Sequence, residues 1–249
     1  MSLALALPTR RDEAYRYADL DALGGIWPVA PTQIRVAAGE QGALSIAAQS
    51  ASADVREIEI VLADGASFDL RVLSTGSAYG RIGVTVTLGK GARFMLGAAQ
   101  LAGGDQTLEV VTEVRHAEPD AVSRQVVRSV AAGTATVNYL GKVAVARGAD
   151  GSDGEQSVRA MLLDRTATAN ARPELEIFAD DVQCGHGATS GALDEDLRFY
   201  LMARGIPQKE AEALLVQAFV GEAVEGIEHA GLRDALMDNV VAWLRARAG

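Results

Sequence analysis

The feature that most limits how this chain can fold is an internal repeat. Val61-Leu62-Ala63-Asp64-Gly65-Ala66-Ser67-Phe68-Asp69-Leu70 resembles Thr87-Leu88-Gly89-Lys90-Gly91-Ala92-Arg93-Phe94-Met95-Leu96 at a constant offset, and Val145-Ala146-Arg147-Gly148-Ala149 repeats the turn once more. Each full copy reads as strand, Gly-Ala corner, strand. A period in the twenties built from strands is what stacked coils produce, each burying its apolar face against the next. An ordinary β-sandwich is the alternative, because its short strands and turns give a similar local pattern.

The same style extends well beyond the repeat. Runs rich in β-branched and apolar residues cover Gln33 to Ala37, Ala43 to Ala47, Val55 to Leu62, Phe68 to Leu73, Gly83 to Leu88, Arg93 to Leu96 and Leu108 to Glu113. Strict alternation in Arg56-Glu57-Ile58-Glu59-Ile60 and Gly83-Val84-Thr85-Val86-Thr87 has the period of a half-buried strand. Gly133 to Tyr139, Lys142 to Ala146 and Val158 to Leu163 continue it, with no linker between. The expected organisation is mainly β: a lead-in over 1–31, a β core over 32–192 and a helical region over 193–249.

Helical signals lie at the two ends. Glu13 to Leu23 carries aromatics, leucines and charges suited to a short amphipathic helix, stopped by Gly24, Gly25 and Pro28. At the other end Asp194 is a good N-cap for Glu195 to Ala203, Gly205 a C-terminal stop and Pro207 the opening of the next helix. Gln208 to Val220 places Ala211, Leu214, Leu215, Ala218 and Phe219 on one stripe. Leu232 to Ala246 places Leu236, Val240, Trp243 and Leu244 on another. Such helices either cap a solenoid or present an outer face to a partner.

Composition removes several classes of function. A formal net charge of −10 and the lack of any Lys/Arg block argue against a phosphate-neutralising nucleic-acid surface. One cysteine excludes an internal disulfide and any four-cysteine zinc or iron–sulfur site made by this chain alone, and fits a reducing, cytoplasmic setting. The apolar run Ser2 to Leu7 is too short to span a bilayer and lacks the flanks of a signal peptide, so neither a targeting segment nor a membrane anchor is expected. There is no P-loop, since Gly89-Lys90-Gly91 lacks the frame, and no G-x-S-x-G elbow, H-E-x-x-H or paired-cysteine deaminase motif.

What remains for chemistry is Pro173 to Gly191, which holds the single cysteine, Cys184, and one of three histidines, His186. If Leu175 to His186 is one strand, its period of two puts Asp180, Val182, Cys184 and His186 on one face. Gly185 and Gly187 would then let another backbone or an inorganic group approach. A thiol and an imidazole with a carboxylate in line make a soft-metal or sulfur-handling surface, yet two ligands are too few for a stable site without a second chain. Spacing alone favours the plainer reading, a buried cysteine and a structural histidine. His116 could approach the same face from an earlier coil, and His229 falls between helices. Asp180 and Asp181 would be the carboxylates of a solenoid carbohydrate-active enzyme, a reading that rests on fold analogy.

The stretch taken whole resembles a known family. Leu175-Glu176-Ile177, Asp180-Asp181-Val182-Gln183-Cys184-Gly185-His186-Gly187-Ala188-Thr189, Gly191, Leu193-Asp194, Phe199-Tyr200-Leu201 and Arg204-Gly205-Ile206 are similar to the signature of the SufB/SufD family. These are scaffold subunits of the Suf iron–sulfur cluster assembly complex. His116, Ser123-Arg124-Gln125, Gly141-Lys142-Val143 and Gln156 extend the likeness, so it covers roughly His116 to Phe219. Glu13-Ala14-Tyr15-Arg16-Tyr17 resembles the N-terminal motif, with Tyr15 where tryptophan is usual. Gly187, where SufB-type chains usually carry glutamate, points to the SufD branch. Most of the N-terminal helical region of larger members has no counterpart, and Ser152-Asp153-Gly154 replaces a usual Thr-Asp-Ala.

The resemblance implies a right-handed parallel β-helix followed by C-terminal α-helices. It implies a non-catalytic scaffold that pairs with SufB through the β-helix edge and with the SufC ATPase through the C-terminal helices, binding no nucleotide itself. His186 is implied to contribute to a transient iron–sulfur cluster at the SufB interface, with Cys184 beside it. Pairing of two copies through the same edge is the alternative assembly.

Overall fold

A computed structural model of the chain describes residues 6–50, 52–225 and 230–248. His229 and most of the Ser2 to Leu7 run lie outside the described residues. Strands β1 (Thr32–Val36), β3 (Asp54–Leu62), β5 (Tyr79–Leu88), β7 (Thr107–His116), β9 (Thr136–Val145) and β11 (Thr168–Ile177) form one six-stranded sheet. Strands β2 (Gln41–Ala48), β4 (Ser67–Thr75), β6 (Arg93–Ala102), β8 (Val122–Ala131), β10 (Asp153–Leu162) and β12 (Gln183–Ala192) form a second. Every pairing is parallel and joins a strand to the one two places on, so the chain alternates between sheets and climbs one coil per pair of strands. This is a parallel β-helix of about six coils, and the sandwich alternative, which requires antiparallel sheets, falls.

The repeat is the coil itself. Leu62 lies beside Leu88, Phe68 beside Phe94 and Leu70 beside Leu96, the same offset that relates the two copies in the sequence. Later coils are longer, as the pairing of Arg93 with Val122 and of Thr136 with Thr168 shows. One corner keeps its form throughout. Gly39, Gly65, Gly91 and Gly151 have φ of 71°, 67°, 64° and 74°, and Asp120, at 62°, takes the same place in the fourth coil. Glycine adopts this left-handed conformation without penalty, and aspartate is among the few others that tolerate it. Each of these N–H groups donates to a carbonyl of the next coil: Gly65 to Lys90 O at 2.8 Å, Asp120 to Asp150 O at 2.9 Å and Gly151 to Asp181 O at 2.7 Å.

The outer face of the odd-strand sheet is covered by the lead-in, which is not the continuous helix expected over Glu13 to Leu23. It forms a 3-10 turn at Glu13–Tyr15 and a short helix, α1 (Leu20–Gly24). Asp19 divides them: its side chain accepts from the N–H groups of Asp21 and Ala22 while its own backbone stays extended, so no helix runs through it. The break lets the Tyr15 ring lie 4.2 Å from the Arg81 guanidinium, with the Trp27 ring edge-on to Tyr15 at 5.9 Å. Arg81 is buried and donates to Glu109 at 3.0 Å, to which Tyr79 also donates at 3.0 Å. A buried guanidinium is stable only with such a partner.

Three helices follow the last strand: α2 (Glu195–Ala203), α3 (Gln208–Val224) and α4 (Ala230–Ala248). Asp194 caps α2 by accepting from Asp196 N at 2.9 Å and Leu197 N at 3.0 Å, and Gly205, at φ 87°, lets the chain turn away. α3 and α4 lie on the flank of the solenoid, not over an end. α3 packs on the outer face of β6 and β8, where Val216, Val220, Ala223 and Val224 meet Leu73, Ala99, Leu101 and Val130. Its buried face therefore departs from the expected stripe: Ala211 is buried, but Leu214 is exposed. α3 is apolar on nearly every side from Leu214 to Val220, so the sheet, not the periodicity, selects the face. In α4 Leu236 and Val240 are buried and Trp243 and Leu244 pack against them, as the spacing requires. Among the described residues no helix is long and apolar enough to cross a membrane.

Candidate functional site

β12 is the last strand of the even sheet and pairs on one side only, with β10. Its register places Cys184 beside Gly154 and His186 beside Gln156. Both belong to columns that point into the solenoid. Phe68, Phe94, Ser123, Gly154 and Cys184 make one column, and Leu44, Leu70, Leu96, Gln125, Gln156 and His186 the other. With no seventh coil above among the described residues, these inward positions come to the surface: Cys184 is half-buried and His186 exposed.

Cys184 and His186 share a face, as a period of two requires. The single strand from Leu175 to His186 is corrected, because β11 ends at Ile177 and β12 starts at Gln183. Asp180 and Asp181 lie in the corner between, where the Asp181 carbonyl accepts from Gly151 in the corner stack. Asp180 is therefore outside the strand whose alternation would set it in line with the cysteine and histidine. Two adjacent aspartates after an apolar run are ordinary turn residues, a signal present in the sequence itself.

Burial pushes the Cys184 thiol above its ordinary value. The Asp153 carboxylate adds to this, while the Gly154 backbone and Arg124 act the other way. This favours the protonated thiol, which becomes a good ligand only when metal binding displaces its proton to solvent. Behind it Gly154 allows close packing: a Cβ there would lie 3.2 Å from Val143 Cγ1, 3.4 Å from Cys184 Sγ and 3.6 Å from His116 Nε2. His116 is fully buried, 2.8 Å from Ser123 Oγ through Nε2, and burial lowers its pKa to about 4. It thus lies behind Cys184 within the core and does not join His186 as a ligand. Among the described residues, no three His, Cys, Asp or Glu side chains converge closely enough to hold a metal ion.

Sequence reasoning missed the polar interior beneath the site. Thr112 donates to Gln125 Oε1 at 2.8 Å, Tyr139 OH donates to the same oxygen at 3.3 Å, and Gln156 Nε2 donates to Tyr139 OH at 3.0 Å. All four are buried. Gly141 makes room for them, since a Cβ there would lie 2.1 Å from the Tyr139 hydroxyl. On the outside, Arg124 is paired with Asp153, whose pKa it lowers. β10 from Asp153 to Ser157 and β12 from Gln183 to Gly187 line an open depression of about 540 Å³. A second exposed feature is apolar: Leu197, Phe199, Tyr200 and Met202 on α2 and Leu214 on α3, with Phe199 73% exposed.

The family model for the SUF system FeS cluster assembly SufBD core domain matches residues 32–219. The chain is 27% identical over 183 residues to the iron-sulfur cluster assembly protein SufD of Escherichia coli K12, covering 73% of the chain and 43% of that protein. It is 34% identical over 179 residues to Protein ABCI7, chloroplastic, of Arabidopsis thaliana, covering 71% and 38%. With the SufD protein of Bacillus subtilis the identity is 31% over 134 residues, covering 54% and 31%. The chain spans about two-fifths of the length of the first two relatives.

Proposed function

The chain belongs to the SufB/SufD core family of iron–sulfur cluster assembly proteins, and from that premise we propose that it is a SufD-type scaffold subunit with no turnover of its own. It offers His186, with Cys184 beside it, to a nascent cluster that is cargo passing through the complex. The rest of the ligand set comes from a SufB-type partner seated against the free edge of β12. One observation carries the reading: the final coil leaves an inward-facing cysteine and histidine uncovered on a strand with an unpaired edge. Unpaired strand edges recruit further strands, and an imidazole with a neighbouring thiol suits iron bound alongside sulfide. A half set of ligands is what a site divided between two chains requires.

The apolar side chains exposed on α2 and α3 are the proposed seat of the SufC-type ATPase. The nucleotide binds there and not on this chain, and the complex works in the cytoplasm. Replacing His186 by Ala and reconstituting the complex with SufB and SufC tests the site. Cluster absorbance should fail to develop, and development at the wild-type rate refutes the assignment. A second copy on the same edge is the competing assembly. Sedimentation of the chain alone and with SufB separates a homodimer from a heterocomplex.

A further inference from the structure

The column that ends in His186 changes character along the solenoid. Its first three members are leucines, Leu44, Leu70 and Leu96, and its next two are glutamines, Gln125 and Gln156. Gln156 is 1% exposed, and its amide is used on one side only. Nε2 donates to Tyr139 OH, whose own proton goes to Gln125, while Oε1 is buried with no hydrogen-bond partner among the described residues. Gln125 Nε2 is likewise unpartnered, so neither glutamine satisfies the other. A buried carbonyl oxygen without a donor is costly, so the arrangement calls for a donor at the site.

The remaining column neighbour of Gln156 is His186, its register partner on β12. Side chains paired across adjacent strands start about 5 Å apart at Cβ, within reach of a glutamine and an imidazole. His186 closes no hydrogen bond of its own among the described residues, and both groups line the same depression. We propose that Gln156 is a positioning residue for His186: its buried carbonyl oxygen accepts the N–H of one ring nitrogen and turns the lone pair of the other toward the approaching iron. A metal-binding histidine whose second nitrogen donates to a fixed acceptor is held in one tautomer and one orientation. Tyr139, itself donating to Gln125, aims the amide.

The inference rests on His186 being the ligand, so its test reads the ring and not the cluster. The full chain, labelled with 15N-histidine, is observed at pH 8 through long-range 1H–15N correlations. The His186 signals are identified by their loss in His186→Ala. Wild type should show one donor-type and one lone-pair-type nitrogen. Gln156→Met, of similar volume with no acceptor, should give the averaged signals of two exchanging tautomers, and Gln156→Glu should restore the single form. An unchanged His186 pattern in Gln156→Met overturns the proposal. If that variant does not fold, an unchanged ring N–H shift in Gln156→Glu overturns it. Were His186→Ala to leave cluster formation intact while Gln156→Met averaged the ring, positioning would stand and the ligand assignment would fall.

Discussion

The buried His116 makes the stability of this protein depend on pH in a way that can be isolated. In the folded chain its ring is out of water, 2.8 Å from Ser123 Oγ, and its pKa falls to about 4. Burial is the main cause and Arg124 acts with it, while the Ala121 backbone and Asp153 favour the charged ring. In the unfolded chain the value returns to about 6.5, and a gap of that size corresponds to about 3 kcal/mol. The unfolded state binds the proton more readily, so the contribution is fully present above about pH 6.5 and is lost progressively as pH falls toward 4. Other groups titrate in the same window, so the measurement is a difference. Urea unfolding of wild type and His116→Gln is compared from pH 7.5 down to pH 4, glutamine keeping a polar contact for Ser123 without titrating. Wild type should lose about 3 kcal/mol relative to the variant across that window. A difference that stays flat with pH refutes the reasoning, because a ring that accepts its proton in place gives no linkage.

Further outcomes test the flank and the open edge. Gly97→Ala places a Cβ 1.9 Å from the Ala223 carbonyl oxygen, which also accepts from Arg71 Nη1 at 3.0 Å, so α3 must lift off the sheet; a loss of about 3 kcal/mol in thermal unfolding is expected, with faster amide exchange in α3. Gly185→Ala, whose Cβ would meet nothing within 4 Å, is the control and should change stability by less than about 0.5 kcal/mol. Phe199→Ser should likewise leave stability within about 0.5 kcal/mol, because the ring is 73% exposed, yet weaken capture of the proposed ATPase partner by about tenfold or more in titration calorimetry.

The fold is legible where coils are equal in length. Positions 61–70 and 87–96 align in the sequence at the register that the strands adopt, because the first coils all repeat at one offset. Once corners lengthen, the repeat disappears from the sequence while the coil persists in space. β8 therefore carries no repeat to mark it, and β9 reads as two runs split at Leu140-Gly141. There the glycine is no turn but the space for the Tyr139 hydroxyl. Capping residues are legible, as Asp194 and Gly205 show, since a cap is decided by its immediate neighbours. Asp19 is the exception, because the surrounding apolar pattern favours a helix that its own side chain interrupts.

At the site, alternation alone puts Cys184 and His186 on one face, but alternation does not say which face or whether another coil covers it. Nor can it connect Gln125, Gln156 and His186, which come from three successive coils of unequal length. The interior supplies what the sequence lacks. Three coils fill their columns with Leu44, Leu70 and Leu96 or with Phe68 and Phe94, so this fold accepts an apolar core at those positions. The coils nearest the open end put Ser123, Gln125 and Gln156 there instead, although buried polar groups cost free energy unless every partner is supplied. Partners are supplied for Thr112, Tyr139 and Ser123, while Gln125 Nε2, His116 Nδ1 and Gln156 Oε1 have none among the described residues, the last lying next to the exposed histidine. A third inward column, Ser74, Gln100 and Ser129, is polar from the second coil on, but the two columns that end in Cys184 and His186 turn from apolar to polar only toward the open end, beneath those two residues.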